Sequence, residues 1–241
     1  MKKVLFGFLV AVLASCEKSQ VPIKICYLSS ELASSTYYAY LYNDKNQVAS
    51  YTGSGIISSV LTYDSLNRII SEFDNGLLTI TYNYDNKSRL TLWTQEMQYD
   101  VSHNMKVKFF YNSANQDTLI QYYKYSLSTG GYYMSRFIRL SFSSSNNKNY
   151  SRRKTYNATT DTLLYTEDYL WDTHPNPHLS NPFFTNEPPP TNNVTQYTFT
   201  PPGGAPQLTT FEYTYNNNGY PLTQYIPGFI QTVKYEYANC N

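Results

Sequence analysis

The sequence predicts an all-β chain, an antiparallel meander of consecutive β-hairpins curved into a shell- or barrel-like sheet. Three observations carry that expectation. A short phrase recurs, most cleanly as Tyr63-Asp64-Ser65-Leu66-Asn67, with copies at Tyr42-Asn43-Asp44-Lys45-Asn46, Tyr84-Asp85-Asn86-Lys87-Ser88, Tyr111-Asn112-Ser113-Ala114-Asn115 and Tyr215-Asn216-Asn217-Asn218-Gly219. Tyrosine is the signature residue, at 27 against 12 Phe and 2 Trp. Tyrosine suits a pleated, half-buried surface, where the ring packs and the hydroxyl stays wet. Apolar residues alternate with period 2, and helical periodicity is absent beyond the first residues of the chain.

Each place in the phrase has a physical reason. The Asx side chain bonds the backbone two residues on and so starts a type I turn. Two unconstrained residues fill its αR positions. The Asn, Gly or Ser that follows tolerates a positive φ and closes the hairpin with a one-residue bulge. The phrase is therefore a hairpin tip, and its aromatic is the last residue of the incoming strand.

In chain order, strands are expected at residues 23–29 and 36–42, the latter with Tyr38, Tyr40 and Tyr42 on one face and Tyr37, Ala39 and Leu41 on the other. Residues 48–52 follow and are broken by Gly53-Ser54-Gly55. Residues 57–63 and 69–73 flank the second turn, and Asp74-Asn75-Gly76 is a tight turn of the primed type. Residues 79–84 alternate strictly, the pattern of a sheet with one packed and one wet face. Further strands are expected at 90–99, 106–111, 118–125, 132–142, 153–156 and 163–171. Tyr156-Asn157 with Asp161-Thr162-Leu163 echoes the fourth turn. Residues 172–193 hold Pro175, Pro177, Pro182, Pro188, Pro189 and Pro190, which cannot donate to a central ladder, and are expected as a long irregular loop. Strands resume at 194–200, 209–215, 222–225 and 231–237.

Met1-Lys2-Lys3 is a positive n-region, and residues 4–14 are an apolar run too short for a comfortable membrane span. Leu13-Ala14-Ser15-Cys16 resembles the lipobox of bacterial lipoproteins. That resemblance implies a leader at 1–15, an acylated Cys16 and a tether at 16–22, and the remaining length suits a single all-β domain at 23–241. It also implies a bacterial envelope location, the outer membrane favoured over the inner, with attachment through an acyl anchor rather than a span. The formal net charge of +1 gives no electrostatic reason to expect nucleic acid. Cys26 and Cys240 can pair in an oxidising envelope, tying the first strand to the last, or stand as two free thiols.

The tandem Tyr-Asx hairpins behind a lipobox resemble the tyrosine–aspartate repeats of large bacterial and eukaryotic shell proteins. They are closer still to a family of uncharacterised envelope lipoproteins with a porin-like fold. Asp172-Thr173-His174-Pro175-Asn176-Pro177 is similar to a turn common in those lipoproteins, with His178 where an aromatic usually follows. The resemblance implies architecture and is silent on activity.

Candidate sites are few. His174 and His178 stand four apart, but Pro175 and Pro177 forbid the helix that would make them metal ligands, so no metal is expected. No cofactor motif, phosphate loop or nucleophile elbow is present. His103 is a turn residue, and Glu167, Asp168 and Asp172 read as a solvated strand end rather than a glycosidase pair. The tyrosine rows read first as a core face. An exposed binding surface is to be sought at Trp93, Trp171, His174, His178 and the Pro-rich loop. Asp64-Ser65-Leu66, Asp117-Thr118-Leu119 and Asp161-Thr162-Leu163 resemble acceptors of periplasmic O-glycosylation, at Ser65, Thr118 and Thr162. The functional expectation is a non-enzymatic envelope lipoprotein that binds a glycan, peptide or partner protein. A structural component without a small-molecule site comes second, and a hydrolase ranks low.

Overall fold

The computed structural model describes residues 26–34, 36–53, 56–144, 148–180, 187, 189–238 and 240; the expected leader, Cys16 and the tether lie outside them. The first half of the sheet comprises β1 (Tyr27–Ala33), β2 (Thr36–Tyr42), β3 (Val48–Gly53), β4 (Ile56–Tyr63), β5 (Ile69–Asp74), β6 (Leu78–Tyr84), β7 (Leu90–Met97) and β8 (Met105–Tyr111). The second half comprises β9 (Asp117–Ser126), β10 (Gly131–Ser141), β11 (Arg152–Asn157), β12 (Leu163–Pro175), β13 (Asn192–Thr200), β14 (Gln207–Thr210), β15 (Glu212–Tyr215), β16 (Pro221–Ile226) and β17 (Gln231–Ala238). Among the described residues, all belong to one 17-stranded antiparallel sheet in which sequence neighbours pair. β14 and β15 are halves of one run broken at Phe211, whose N–H still reaches Thr195 O at 3.0 Å. β1 pairs with β17 as well as β2, from Tyr27 opposite Ala238 to Ala33 opposite Val233, and so closes the meander into a barrel.

The recurrent phrase forms the hairpin tips it predicts. Asp64 Oδ1 accepts from Leu66 N and Arg68 N, each at 2.9 Å, and Asn43, Asp85, Asn112 and Asn216 repeat the arrangement. The fifth residue is left-handed in each copy: Asn46, Asn67, Ser88, Asn115 and Gly219 have φ of 57°, 62°, 61°, 62° and 82°. Asn75 and Gly76, at φ 39° and 80°, give the expected primed turn. These tips share one end of the barrel, the turn end, because a meander of even-numbered returns brings every second connection to the same side. The Tyr156-Asn157 echo falls on the opposite end, one strand out of phase.

Each hairpin also carries a second bulge that the phrase does not announce. Tyr63 faces Ile69 while Thr62 faces Ser71, so Ile70 is the extra residue. The same slip sets Tyr42 opposite Val48, Tyr84 opposite Leu90, Tyr111 opposite Asp117 and Tyr215 opposite Pro221. A bulge reverses the in–out phase beyond it. Phase reversal is why Tyr51, Trp93 and Ile120 point inward three places after Val48, Leu90 and Asp117.

The inner face is the core. Leu28, Tyr40, Val48, Tyr51, Leu61, Ile69, Ile80, Tyr82, Trp93, Val107, Phe109, Ile120, Tyr122, Ile138, Leu140, Val233 and Tyr235 are buried together. The outer face mixes exposed Tyr37, Leu41, Val60, Ile70, Phe73 and Leu208 with exposed Lys108, Lys124, Arg139, Glu212, Lys234 and Glu236.

Boundaries differ from expectation around the Pro-rich segment. β12 runs on to Pro175, which lies opposite Asn192, so the loop begins later and ends earlier than 172–193. Asp172 makes this possible: Oδ1 accepts from His174 N and Asn193 N, each at 3.0 Å, and Oδ2 accepts from Asn193 Nδ2 and the Tyr215 hydroxyl. A carboxylate thereby takes up donors that the proline-interrupted ladder leaves over. β7 ends at Met97, two residues short of Tyr99, where Asp100 starts a 3-10 turn over Val101–His103.

Candidate binding site

The turn end is built by side chains that reach from one hairpin tip to the next. Arg68 is held by its own Asp64, Nε to Oδ2 at 2.7 Å and Nη2 to Oδ2 at 2.6 Å, while Nη1 reaches Ser88 Oγ of the following tip at 3.3 Å. Arg89 repeats this with Asp85 at 2.7 and 2.6 Å and with Asn115 Oδ1 at 3.1 Å. Backbone N–H donation from Arg68 and Arg89 holds the Asp64 and Asp85 carboxyls below their usual range, and their side-chain bonds add to it. Each guanidinium lies 4.6 Å over the next tyrosine ring, Arg68 over Tyr84 and Arg89 over Tyr111.

The tyrosines are struts as well as core. Tyr63, Tyr84 and Tyr111 donate to the carbonyls of Val48, Ile69 and Leu90, each at 2.8 Å, and Tyr42 and Tyr237 reach Leu28 O and Pro221 O at 2.7 Å. The acceptor is each time the residue just before a bulge, where the ladder is interrupted. Burial pushes the Tyr63 and Tyr111 hydroxyls well above the ordinary phenol range, so they remain protonated donors.

At this end is a cavity of about 550 Å³, lined by Tyr27, Gln47, Tyr63, Asn67, Arg68, Ile69, Tyr84 and Tyr220, together with Leu179 from the Pro-rich segment. A neighbouring cavity of about 310 Å³ is lined by Ile69, Tyr82, Tyr84, Ser88, Arg89, Leu90 and Tyr111. Ile69 and Tyr84 form the wall between them.

Deeper polar groups belong to the barrel's interior. Glu72 is 1 % exposed and accepts from the Tyr51 hydroxyl and, at 3.4 Å, from Tyr82. Burial raises its carboxyl, and hydroxyls of Tyr51, Ser59 and Tyr82 hold part of the charge. Arg153 meets Glu187 at 2.9 Å and Glu167 at 3.4 Å, and Tyr122 donates to Glu187. Burial works against the Arg153 charge, and Glu187, Tyr150, Tyr169 and Glu167 together more than restore it. His178 Nε2 lies 3.5 Å from Glu31. Burial pushes Glu31 up to about 7 and His178 down to about 4. The contact therefore joins a neutral imidazole to a half-titrated carboxyl rather than two full charges.

The residues singled out from sequence part company here. Trp93 is 4 % exposed and sits in the core, so it cannot belong to an exposed surface; the bulge after Leu90 turns it inward. Trp171 is half-buried, donates Nε1 to Tyr150 O at 2.7 Å and stacks with Tyr169. His174 stacks on Tyr215 with centroids 3.9 Å apart. His178 is in the interior, and none of these four lines the two cavities. Ser65 and Thr162 are exposed and Thr118 is half-buried. Cys26 and Cys240 form a disulfide with Cα atoms 4.8 Å apart, capped by Asn218 Nδ2 on Cys240 O at 2.7 Å. Among the described residues no group of three or more His, Cys, Asp or Glu side chains could hold a metal.

Sequence reading missed Arg68, Arg89 and Gln47 as site residues. The signal was present: in four of the five copies the place after the left-handed residue is a long side chain with planar donors, Gln47, Arg68, Arg89 and Gln116, and in the fifth it is Tyr220.

No protein-family model matches the sequence, and no curated protein matches it. Solved structures do. A porin-like protein from Bacteroides uniformis ATCC 8492 is similar at TM-score 0.55 and 16 % identity, over 88 % of this chain and 96 % of that one. A porin-like protein from Bacteroides vulgatus ATCC 8482 is similar at TM-score 0.61 and 8 % identity, over 88 % of this chain and 99 % of that one. At such identities the likeness is one of architecture: this chain folds as a porin-like, all-β antiparallel barrel.

Proposed function

We propose that the chain is a non-enzymatic lipoprotein of the bacterial cell envelope that binds a glycan in the mouth at the turn end of its barrel. The observation that carries this reading is the 550 Å³ cavity, whose walls are tyrosine rings and whose rim is amide and guanidinium groups. Sugar rings bind by stacking their C–H faces on aromatic rings while planar donors take their hydroxyls. The hydroxyls of Tyr63 and Tyr84 are committed to backbone carbonyls, which fixes these two rings before any ligand arrives.

Anchoring at Cys16 is supported by the lipobox-like Leu13-Ala14-Ser15-Cys16. Cys26 lies at the turn end beside the Asn216–Gly219 tip, and the ten residues from Cys16 to Cys26 span at most about 35 Å when extended. An anchor there holds the turn end toward the bilayer. Exposed charges on the outer face, such as Lys108, Lys124 and Lys234, favour an anchored barrel over a spanning one. The Tyr-Asx tips support kinship in build with tyrosine–aspartate repeats.

A second reading, a structural or assembly component, is favoured by the filled interior of tyrosine, tryptophan and aliphatic side chains. A glycan-array screen of the full chain in a detergent without a sugar headgroup separates the two. Binding that is lost in Tyr84→Ala supports the first, and a blank array supports the second. Labelled palmitate incorporation into the wild type and not into Cys16→Ala tests the anchor.

A further inference from the structure

The two cavities at the turn end share one wall motif, repeated with a displacement of one hairpin. The first is walled by Tyr63, Arg68 and Tyr84, the second by Tyr84, Arg89 and Tyr111. In each, the arginine is neutralised by the aspartate of its own turn and lies flat on the next tyrosine. Neither cavity therefore presents a net charge, and both set tyrosine rings beside a planar donor. Successive copies lie two strands apart, a displacement of about 10 Å from the sheet spacing. Such a step is the length of a disaccharide.

We infer that the two cavities are successive subsites for one linear, uncharged polysaccharide, which runs along the arc of turns with one disaccharide per hairpin. This rests on the glycan reading above and adds the ligand's charge, shape and period. Charge selects first: an anionic glycan would find Arg68 and Arg89 already bonded to carboxylates and would meet Asp64 and Asp85 beside them. Shape selects next, because a branched chain cannot lie against Tyr63, Tyr84 and Tyr111 in sequence. Period is set by the backbone, since the subsites keep the spacing of the strands that carry them. An extended peptide is a poorer fit, because it binds by adding to a free strand edge and these ladders are already paired on both sides.

Calorimetric titration of the full chain, in a detergent without a sugar headgroup, with neutral gluco-, manno- and xylo-oligosaccharides of increasing length tests this. For the matching sugar, affinity rises by about tenfold or more from the disaccharide to the tetrasaccharide as the second subsite fills. Leu90→Trp fills the second cavity without removing a strut. It brings the tetrasaccharide down to the disaccharide's affinity while leaving the disaccharide within about twofold. Binding that does not grow with length, that ignores Leu90→Trp, or that prefers a uronic-acid polymer overturns the inference while leaving glycan binding intact. Failure of every glycan to bind defeats both.

Discussion

Tyr63 donates its hydroxyl to the carbonyl of Val48 at 2.8 Å, and so joins the second hairpin tip to the bulge that follows the first. Tyr84 does the same for Ile69 and Tyr111 for Leu90. In these copies the aromatic is tyrosine rather than phenylalanine because a hydroxyl is needed one hairpin away, whereas Tyr215 gives its hydroxyl to Asp172.

Removing that hydroxyl leaves a half-buried carbonyl without its partner. Tyr63→Phe and Tyr84→Phe are each expected to lower stability by about 1–2 kcal/mol, whereas Tyr133→Phe at an exposed position is near neutral. Urea titrations followed by tryptophan fluorescence measure the difference, and equal effects at all three positions would sink the strut.

The left-handed fifth residue gives a second expectation. Ser88 sits at φ 61°, a region that serine enters at a cost and glycine does not. Ser88→Gly should therefore raise the melting temperature or leave it unchanged, while Asn67→Val, a β-branched residue at φ 62°, should lower stability by about 1–2 kcal/mol.

Acidity acts on the interior through Glu31 and His178 in opposite senses. Burial raises Glu31 from 4.5 to about 7, so the stability this group contributes is fully present below pH 4.5 and is lost as pH rises through 7. His178 is lowered from 6.5 to about 4, so its contribution is present above pH 6.5 and is lost as pH falls through 4. Glu31→Gln should therefore gain on the wild type between pH 4.5 and 7, by about 2–3 kcal/mol at most, and melting curves across that window decide it. A gap between the two proteins that stays constant with pH would contradict the burial of Glu31.

The Cys26–Cys240 disulfide closes a loop of 214 residues. By the chain-entropy argument its loss costs up to about 5 kcal/mol. Cys26→Ser with Cys240→Ser should melt at the temperature of the reduced wild type and well below the oxidised one.

Much of this architecture is written locally. The hairpin tips, their Asx corners, their left-handed residues and the inward face of Tyr38, Tyr40 and Tyr42 follow from chemistry within a few residues, which is why the strand order is legible in the chain. What is not legible depends on the bulges. The slip after Leu90 has no residue of its own to mark it, yet it moves Trp93 from an imagined surface into the core. The buried Glu72 follows the same slip after Ile69, and a glutamate in a strand reads as solvent-facing until the phase change is known. Asp172 was legible as part of a turn, but its acceptors come from Asn193 and Tyr215, far along the chain. The cavities are legible in neither sense, because they arise where side chains of consecutive hairpins fail to fill the mouth.

The pairing of β1 with β17 has a consequence for how the barrel is made. Every other pairing joins neighbours in sequence, so the sheet can zip up from any hairpin while the chain is still growing, at little loop-closure cost. The seam alone must wait for the last strand. Until residues 231–238 emerge, the molecule is an open ribbon with two bare edges, each a template for another copy. Closure therefore races aggregation, and a truncation that removes β17 is expected to leave a chain whose hairpins form but which assembles edge to edge.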